Sequence, residues 1–198
     1  MLLLAKANAT ALRGLLGFVC ALFAAAALQA EGNSSGASSP IAFEIENQTP
    51  CFFFGGYQLS LGIRYERFRL RASIQDSGRA DFESTGIDSR NDAFSRSYDT
   101  GSFSLSADYF LVPWFFISAC LGSNRWLVQN KDTRASDDLR TLDAGLGLGI
   151  QYVFFKGLFI QLAAQLNFRE RRSLVIQGET YTVPGIDYSP GLRLGCRF

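Results

Sequence analysis

The chain has 198 residues, is 47% hydrophobic and 19% charged, and contains 19 Gly, 18 Phe, 7 Tyr, 2 Trp and no His. That length builds one ordinary domain, and so apolar a composition excludes a disordered chain. Lys plus Arg is 19 and Asp plus Glu 18, a net charge of +1 that offers no basic surface to nucleic acid. The absence of His removes Ser-His-Asp and Cys-His machinery and the commonest zinc ligand, which weakens most enzyme readings.

Residues 1–30 read as a cleaved secretory leader. Lys6 and Arg13 precede an apolar run from Leu15 to Leu28, and Leu28-Gln29-Ala30 ends in a small residue before Glu31. The run is too short for a comfortable membrane span. Removal of the leader leaves a net charge of −1 and three cysteines, Cys51, Cys120 and Cys196, too few and too widely spaced for a disulfide framework. Residues 31–40 are rich in Gly, Ser and Asn and predict a flexible lead-in.

From there the chain carries no helical stripe, and apolar residues recur with period two, the mark of strands with two unlike faces. A short first strand is predicted over Ile41–Glu46. In Tyr57–Glu66 the apolar set Tyr57, Leu59, Leu61, Ile63 and Tyr65 opposes Gln58, Ser60, Gly62, Arg64 and Glu66. Phe68, Leu70, Ala72 and Ile74 then oppose Arg67, Arg69 and Arg71, and the change of parity between Tyr65 and Phe68 predicts a tight hairpin turn. After a polar stretch from Asp76 to Thr100, Phe103, Leu105, Ala107 and Tyr109 oppose three serines and Asp108. Pro113 marks a short turn into a strand carrying Phe115, Ile117, Ala119 and Leu121 on one face and Cys120 on the other. A polar loop, Gln129 to Asp138, precedes the clearest alternation: Leu142, Ala144, Leu146, Leu148, Ile150 and Tyr152 against Asp143, Gly145, Gly147, Gly149 and Gln151. Lys156-Gly157 turns this strand into Leu158–Arg169, and after a loop from Glu170 to Gly185 the last strand sets Leu192, Leu194, Cys196 and Phe198 against Asp187, Ser189, Arg193 and Arg197.

Eight strands joined by short turns at one rim and long loops at the other predict an all-β fold, an eight-stranded antiparallel transmembrane β-barrel over residues 41–198. An exported soluble barrel of lipocalin type, binding an apolar ligand inside, is the alternative, since it simply turns the same apolar face inward. Two features favour the membrane. Tyr65, Phe68, Tyr109, Phe110, Trp114, Phe115, Tyr152, Phe154, Phe155 and Phe159 gather near the short turns, as a belt at a membrane interface does. The opposite face is Gly, Ser, Gln, Asn and Arg with few Lys or Glu, unlike a solvated exterior.

The stretches LSLGIRYERFRLRASI, LSADYFLVPWFFISACLG and AGLGLGIQYVFFKGLFIQLAAQLNF resemble hairpins of small outer-membrane barrels: the OmpA transmembrane domain, opacity-type adhesins and OmpW-like proteins. The last strand, ending in Phe198, looks like the signal such proteins present to the barrel assembly machinery. The resemblance covers about residues 57–198 and contains no catalytic motif. It implies insertion in the outer membrane of a Gram-negative-type (diderm) bacterium, with short periplasmic turns, extracellular loops, and lipid, a small solute or a host ligand as partners. Adhesion, structural support and solute passage all occur in such relatives. Pro190 within the last strand, the cysteines and the short first strand depart from the pattern.

The candidate site is the lumen charge network Arg64, Glu66, Arg69, Arg71, Asp108, Asp143, Arg169, Asp187, Arg193 and Arg197, to which parity adds Arg67, seven positive and four negative groups. It reads either as a paired plug that closes the barrel or as a narrow pore that favours anions. The acidic loop from Asp76 to Thr100 shows no calcium-ligand spacing and is predicted to be solvated. Cys51-Phe52-Phe53-Phe54 either lines an apolar mouth or, the favoured reading, extends a strand. Cys120 is expected in the lumen and Cys196 against lipid, unbridged. No cofactor, metal or enzymatic activity is expected.

Overall fold

The computed structural model of the protein describes residues 41–198, so the expected leader and lead-in lie outside the described residues. Among those described, the chain forms β1 (Ile41–Gln48), α1 (Thr49–Phe53), β2 (Tyr57–Tyr65), β3 (Phe68–Asp76), β4 (Phe94–Tyr98), β5 (Ser102–Val112), β6 (Phe115–Asn130), β7 (Ser136–Val153), β8 (Leu158–Arg169), β9 (Ser173–Ile176), β10 (Glu179–Thr182) and β11 (Ile186–Arg197). β1, β2, β3, β5, β6, β7, β8 and β11 pair antiparallel in that order, and β11 closes onto β1, giving the expected eight-stranded barrel.

The turns fall where parity changes. Tyr65 faces Phe68 across a two-residue hairpin, and Glu66 takes the left-handed backbone (φ 49°) that such a tight reversal demands. Lys156 (φ 44°) and Gly157 (φ 84°) do the same between β7 and β8. The Cys51–Phe54 stretch does not extend a strand. Pro50 sits in the first turn of α1, where its missing N–H costs nothing, and the stretch coils into that helix with Cys51 buried and Phe53 and Phe54 exposed.

Burial is inside out. Leu146 is 63% exposed on the outer wall, while Arg69, on the inner, is 1% exposed. Leu148 and Leu162 also face outward, the reverse of a soluble barrel with an apolar interior. The outward apolar run on β7, from Leu142 to Tyr152, rises about 33 Å along the strand, or about 25 Å along the barrel axis at the usual tilt, the height of a membrane barrel's apolar band. Tyr65, Phe68, Trp114, Tyr152, Phe154 and Phe155 are exposed at the short-turn rim, as the belt requires. Phe110 and Phe159 are not part of it: both are buried, as their parity with Asp108 and Gln161 dictates.

The long connections form a folded cap. β4 adds to the upper end of β6, pairing Tyr98 with Trp126, and β9 and β10 make a separate hairpin. Phe94, Tyr98, Trp126, Val128, Ile176, Tyr181 and Val183 pack into one apolar core over the mouth. The polar loop expected from Gln129 shrinks to the turn between Asn130 and Ser136, and the acidic loop is only partly solvated: Asp81, Asp88 and Asp92 are exposed, but Glu83 and Arg96 are buried.

Candidate functional site

The floor of the lumen is aromatic. Phe110 and Phe116 point inward with ring centroids 5.2 Å apart, and the Arg64 guanidinium stacks 3.6 Å from the Phe110 centroid. The Phe116 ring lies over the neighbouring strand because its partner there is Gly149: a Cβ would stand 2.4 Å from Phe116 Cζ.

Above this floor, period-two alternation delivers charges from widely separated strands to one level. Arg69 on β3 donates to Glu44 of β1 (2.8 Å), Asp108 of β5 (2.7 Å) and Gln161 of β8 (2.9 Å). Arg71 donates to Glu46 and to the second oxygen of Asp108 (2.9 Å). Arg197 completes the ring, donating to Glu44 (2.7 Å) and Gln151 (2.9 Å). Arg69 is thus held from three sides with its side chain fully buried, and the lumen is spanned by hydrogen-bonded side chains. A charge without a partner here would cost several kcal/mol, so the ring is stable only as a complete set.

A second cluster lies at the mouth. Arg169 pairs with Asp143 (2.8 Å) and Asp187 (2.7 Å), and Arg96, contributed by β4 of the cap, pairs with the same Asp187 oxygen (3.0 Å). Both guanidiniums lie against the Trp126 ring, 4.3 Å from its centroid for Arg96 and 5.0 Å for Arg169. Glu83 accepts the Tyr181 hydroxyl (2.6 Å), tying β10 to the first half of the cap. Burial pushes the Tyr181 phenol above its ordinary range; Arg96 pulls it back and the Glu83 carboxylate raises it again. At the cap edge, Asp88 accepts from Arg171 (2.6 Å) and from the Ile186 backbone N–H (2.9 Å). Burial alone would raise the Asp88 pKa, but that N–H and the guanidinium outweigh it and hold the carboxyl below the ordinary aspartate range. Between the ring and the mouth lies a chamber of about 70 Å³ lined by Gln58, Ser73, Ser104, Cys120, Gln165 and Arg193, among others.

The structure brings Arg64, Arg69, Arg71, Asp108 and Arg197 to the lower level, Arg193 to the chamber above it, and Asp143, Arg169 and Asp187 to the upper level. It excludes Glu66 and Arg67 from the lumen: both are exposed turn residues, and only the Glu66 backbone carbonyl takes part, accepting from Arg64. They left the strand pattern at the turn, so strand parity no longer decides where they point. Sequence reasoning missed Glu44 and Glu46, which alternate with Phe43 and Ile45 in the short β1 and so carried a readable signal. It also missed Glu83 and Arg96, whose burial arises from the folding of the cap. With these changes the described lumen charges are Arg64, Arg69, Arg71, Arg96, Arg169, Arg193 and Arg197 against Glu44, Glu46, Glu83, Asp108, Asp143 and Asp187. The excess is one positive charge, where the sequence reading had three. Cys120 faces the lumen and accepts from Gln165, and Cys51, Cys120 and Cys196 are all free. Cys196 has the outward parity expected of it but is covered by Leu158 and Phe198.

These features define a membrane β-barrel with a filled, charge-paired interior. The fold is similar to the N-terminal β-barrel domain of Pseudomonas aeruginosa OprF, with 16% identity over 80% of this chain and 96% of that one and a TM-score of 0.44. Neisserial surface protein A is similar at 14% identity over 80% and 96% of the two chains (TM-score 0.46), and a major outer membrane protein from Thermus thermophilus at 13% identity over 80% and 99% (TM-score 0.44). No family model matches the sequence, and no curated relative does.

Proposed function

We propose that the protein is an outer-membrane β-barrel of a diderm bacterium that acts as a sealed, structural and surface-interaction barrel, presenting its cap to the outside, and is not an enzyme. One observation carries this reading: Arg69 ties together Glu44, Asp108 and Gln161 from three other strands, filling a lumen that eight strands leave barely wide enough for side chains. In this reading the outer wall is held in lipid, Phe198, which pairs with Phe43 at the base of β1, serves the barrel assembly machinery, and the exposed charges of the cap meet a host ligand or a neighbouring surface. Planar-bilayer recording tests it. The intact protein is expected to give no steady conductance, whereas Arg69→Ala with Arg71→Ala opens a path; steady channels in the unaltered barrel would overturn the sealed reading.

One observation favours a second reading, a narrow anion passage. The chamber above the ring already holds space lined by polar groups and Arg193. Anion-selective openings in the unaltered protein would support it.

A further inference from the structure

The barrel wall is incomplete on one side. β11 pairs with β8 from Ile186 to Cys196, but with β1 only from Arg193 to Arg197. Higher up, Asp187 bridges Gly86 of the cap, and among the described residues the Tyr188–Leu192 edge between them has no strand beside it on that side. Five residues amount to about 16 Å of open sheet edge. Pro190 falls within this stretch, and a proline inside a strand belongs on such an edge. α1 stands across the gap where a continued β1 would have run, and the Thr49 hydroxyl at its start is buried with no partner.

Outside the gap lies a groove of about 420 Å³, within the size range of ligand pockets; Pro50, Phe54, Leu162, Pro190 and Leu192 line it, and Asp81 of the cap, paired with Lys131 (3.2 Å), is its one acid. Inside lies the polar chamber. Gln48, Cys51 and Phe82 line both, so the groove and the chamber meet at this seam. The chamber also has an unsatisfied cation. Among the described residues the Arg193 side chain makes no hydrogen bond: its Nε is buried without a partner, and the nearest carboxylate oxygen, Glu46 Oε1 at 3.7 Å, is already engaged by Arg71. Asp143, the acid in the chamber wall, is fully occupied by Arg169, Asn124 and Thr141. Gly191 keeps the way to Arg193 open: a Cβ there would meet nothing closer than 3.9 Å.

We propose that this seam binds a single-chain amphiphile with an anionic head, the head against Arg193 in the chamber and the tail in the groove facing the membrane. An apolar groove open to lipid selects an acyl chain, and an underpaired guanidinium selects a carboxylate or phosphate head.

The experiment uses the full protein in phospholipid vesicles and laurate carrying a diazirine in its tail. Photolabelling is expected on Pro50–Phe54 and Pro190–Leu192, competed by laurate about tenfold better than by dodecanol, a ratio one charge-assisted hydrogen bond supplies. Arg193→Gln is expected to erase that ratio, and Leu192→Trp to fill the groove and reduce labelling there, both in barrels that keep the heat-modifiable gel migration of the folded state. Label spread evenly around the wall, with Leu105 and Leu121 marked as strongly as Leu192, would overturn the proposal, as would equal competition by laurate and dodecanol. Should Arg193→Gln fail to fold, the head-group comparison on the unaltered protein and the Leu192→Trp result decide.

Discussion

The lower barrel and the cap are built on the same two strands with opposite polarity. Along β6 the inward side chains run Ser118, Cys120 and Asn124, then change to Trp126 and Val128. On β7 the outward residues run Ile150, Leu148, Leu146 and Leu142, then change to Arg140 and Asp138. The switch falls at one level, where Trp126 faces Leu139 across the ladder. Below it the solvent is lipid, so the wall is apolar and the interior holds charges; above it the solvent is water, so the apolar side chains turn inward and form the cap core. A strand's alternation therefore records which solvent it meets, and a reversal of alternation marks the water line.

The two regions should also fail differently. In the lower ring, Arg69→Ala leaves Glu44 and Asp108 buried with fewer partners, and the expected loss is about 3–5 kcal/mol, read as a lower urea midpoint and a lower temperature of heat-modified migration. In the cap, Arg96→Ala leaves Asp187 its Arg169 and Asn167 contacts and Glu83 its Tyr181 contact. The expected cost is about 1–3 kcal/mol, confined to faster proteolysis of the 77–100 segment, with the barrel's own unfolding unmoved. If both variants melted the barrel equally, the two regions would be one cooperative unit.

A smaller effect sharpens the contrast through pH. Because the folded-state pKa of Asp88 is depressed, its contribution is complete above the ordinary aspartate value of about 3.9 and is lost as pH falls through the lower folded value. Hydrogen exchange around Ile186 is expected to accelerate on that acid limb, and Asp88→Asn to show the fast exchange already at neutral pH. The smallest effect is expected of Glu66→Ala. Its carboxylate touches neither layer, so stability should stay within about 0.5 kcal/mol of the parent.

Much of this was legible in the chain. Strict alternation placed Arg69, Arg71, Asp108, Asp143, Arg169 and Asp187 in the lumen, because a side chain's face in a strand follows from its parity alone. The same rule held Phe110 inside, although its position near a turn suggested the belt. It failed for Glu66, where the strand had ended. Gln129–Asp138 reads as a loop because the strand residues at its two ends lie above the water line, where, Leu127 apart, the outward positions of β6 and β7 carry polar side chains. Among the charges of the acidic loop only the burial of Glu83 and Arg96 escapes the sequence, because it comes from packing against β6 and the β9–β10 hairpin, partners too distant along the chain to leave a local signal.

The sequence by itself determined the barrel: the strands, their turns, their two faces and the identity of most charges within. These follow from local geometry, a period of two and a tight reversal. Tertiary structure alone decided which charges meet, how the cap closes over them, and where β1 stops short of β11. Those depend on strand stagger around a closed cylinder, which sets distant residues such as Glu44 and Arg197 side by side.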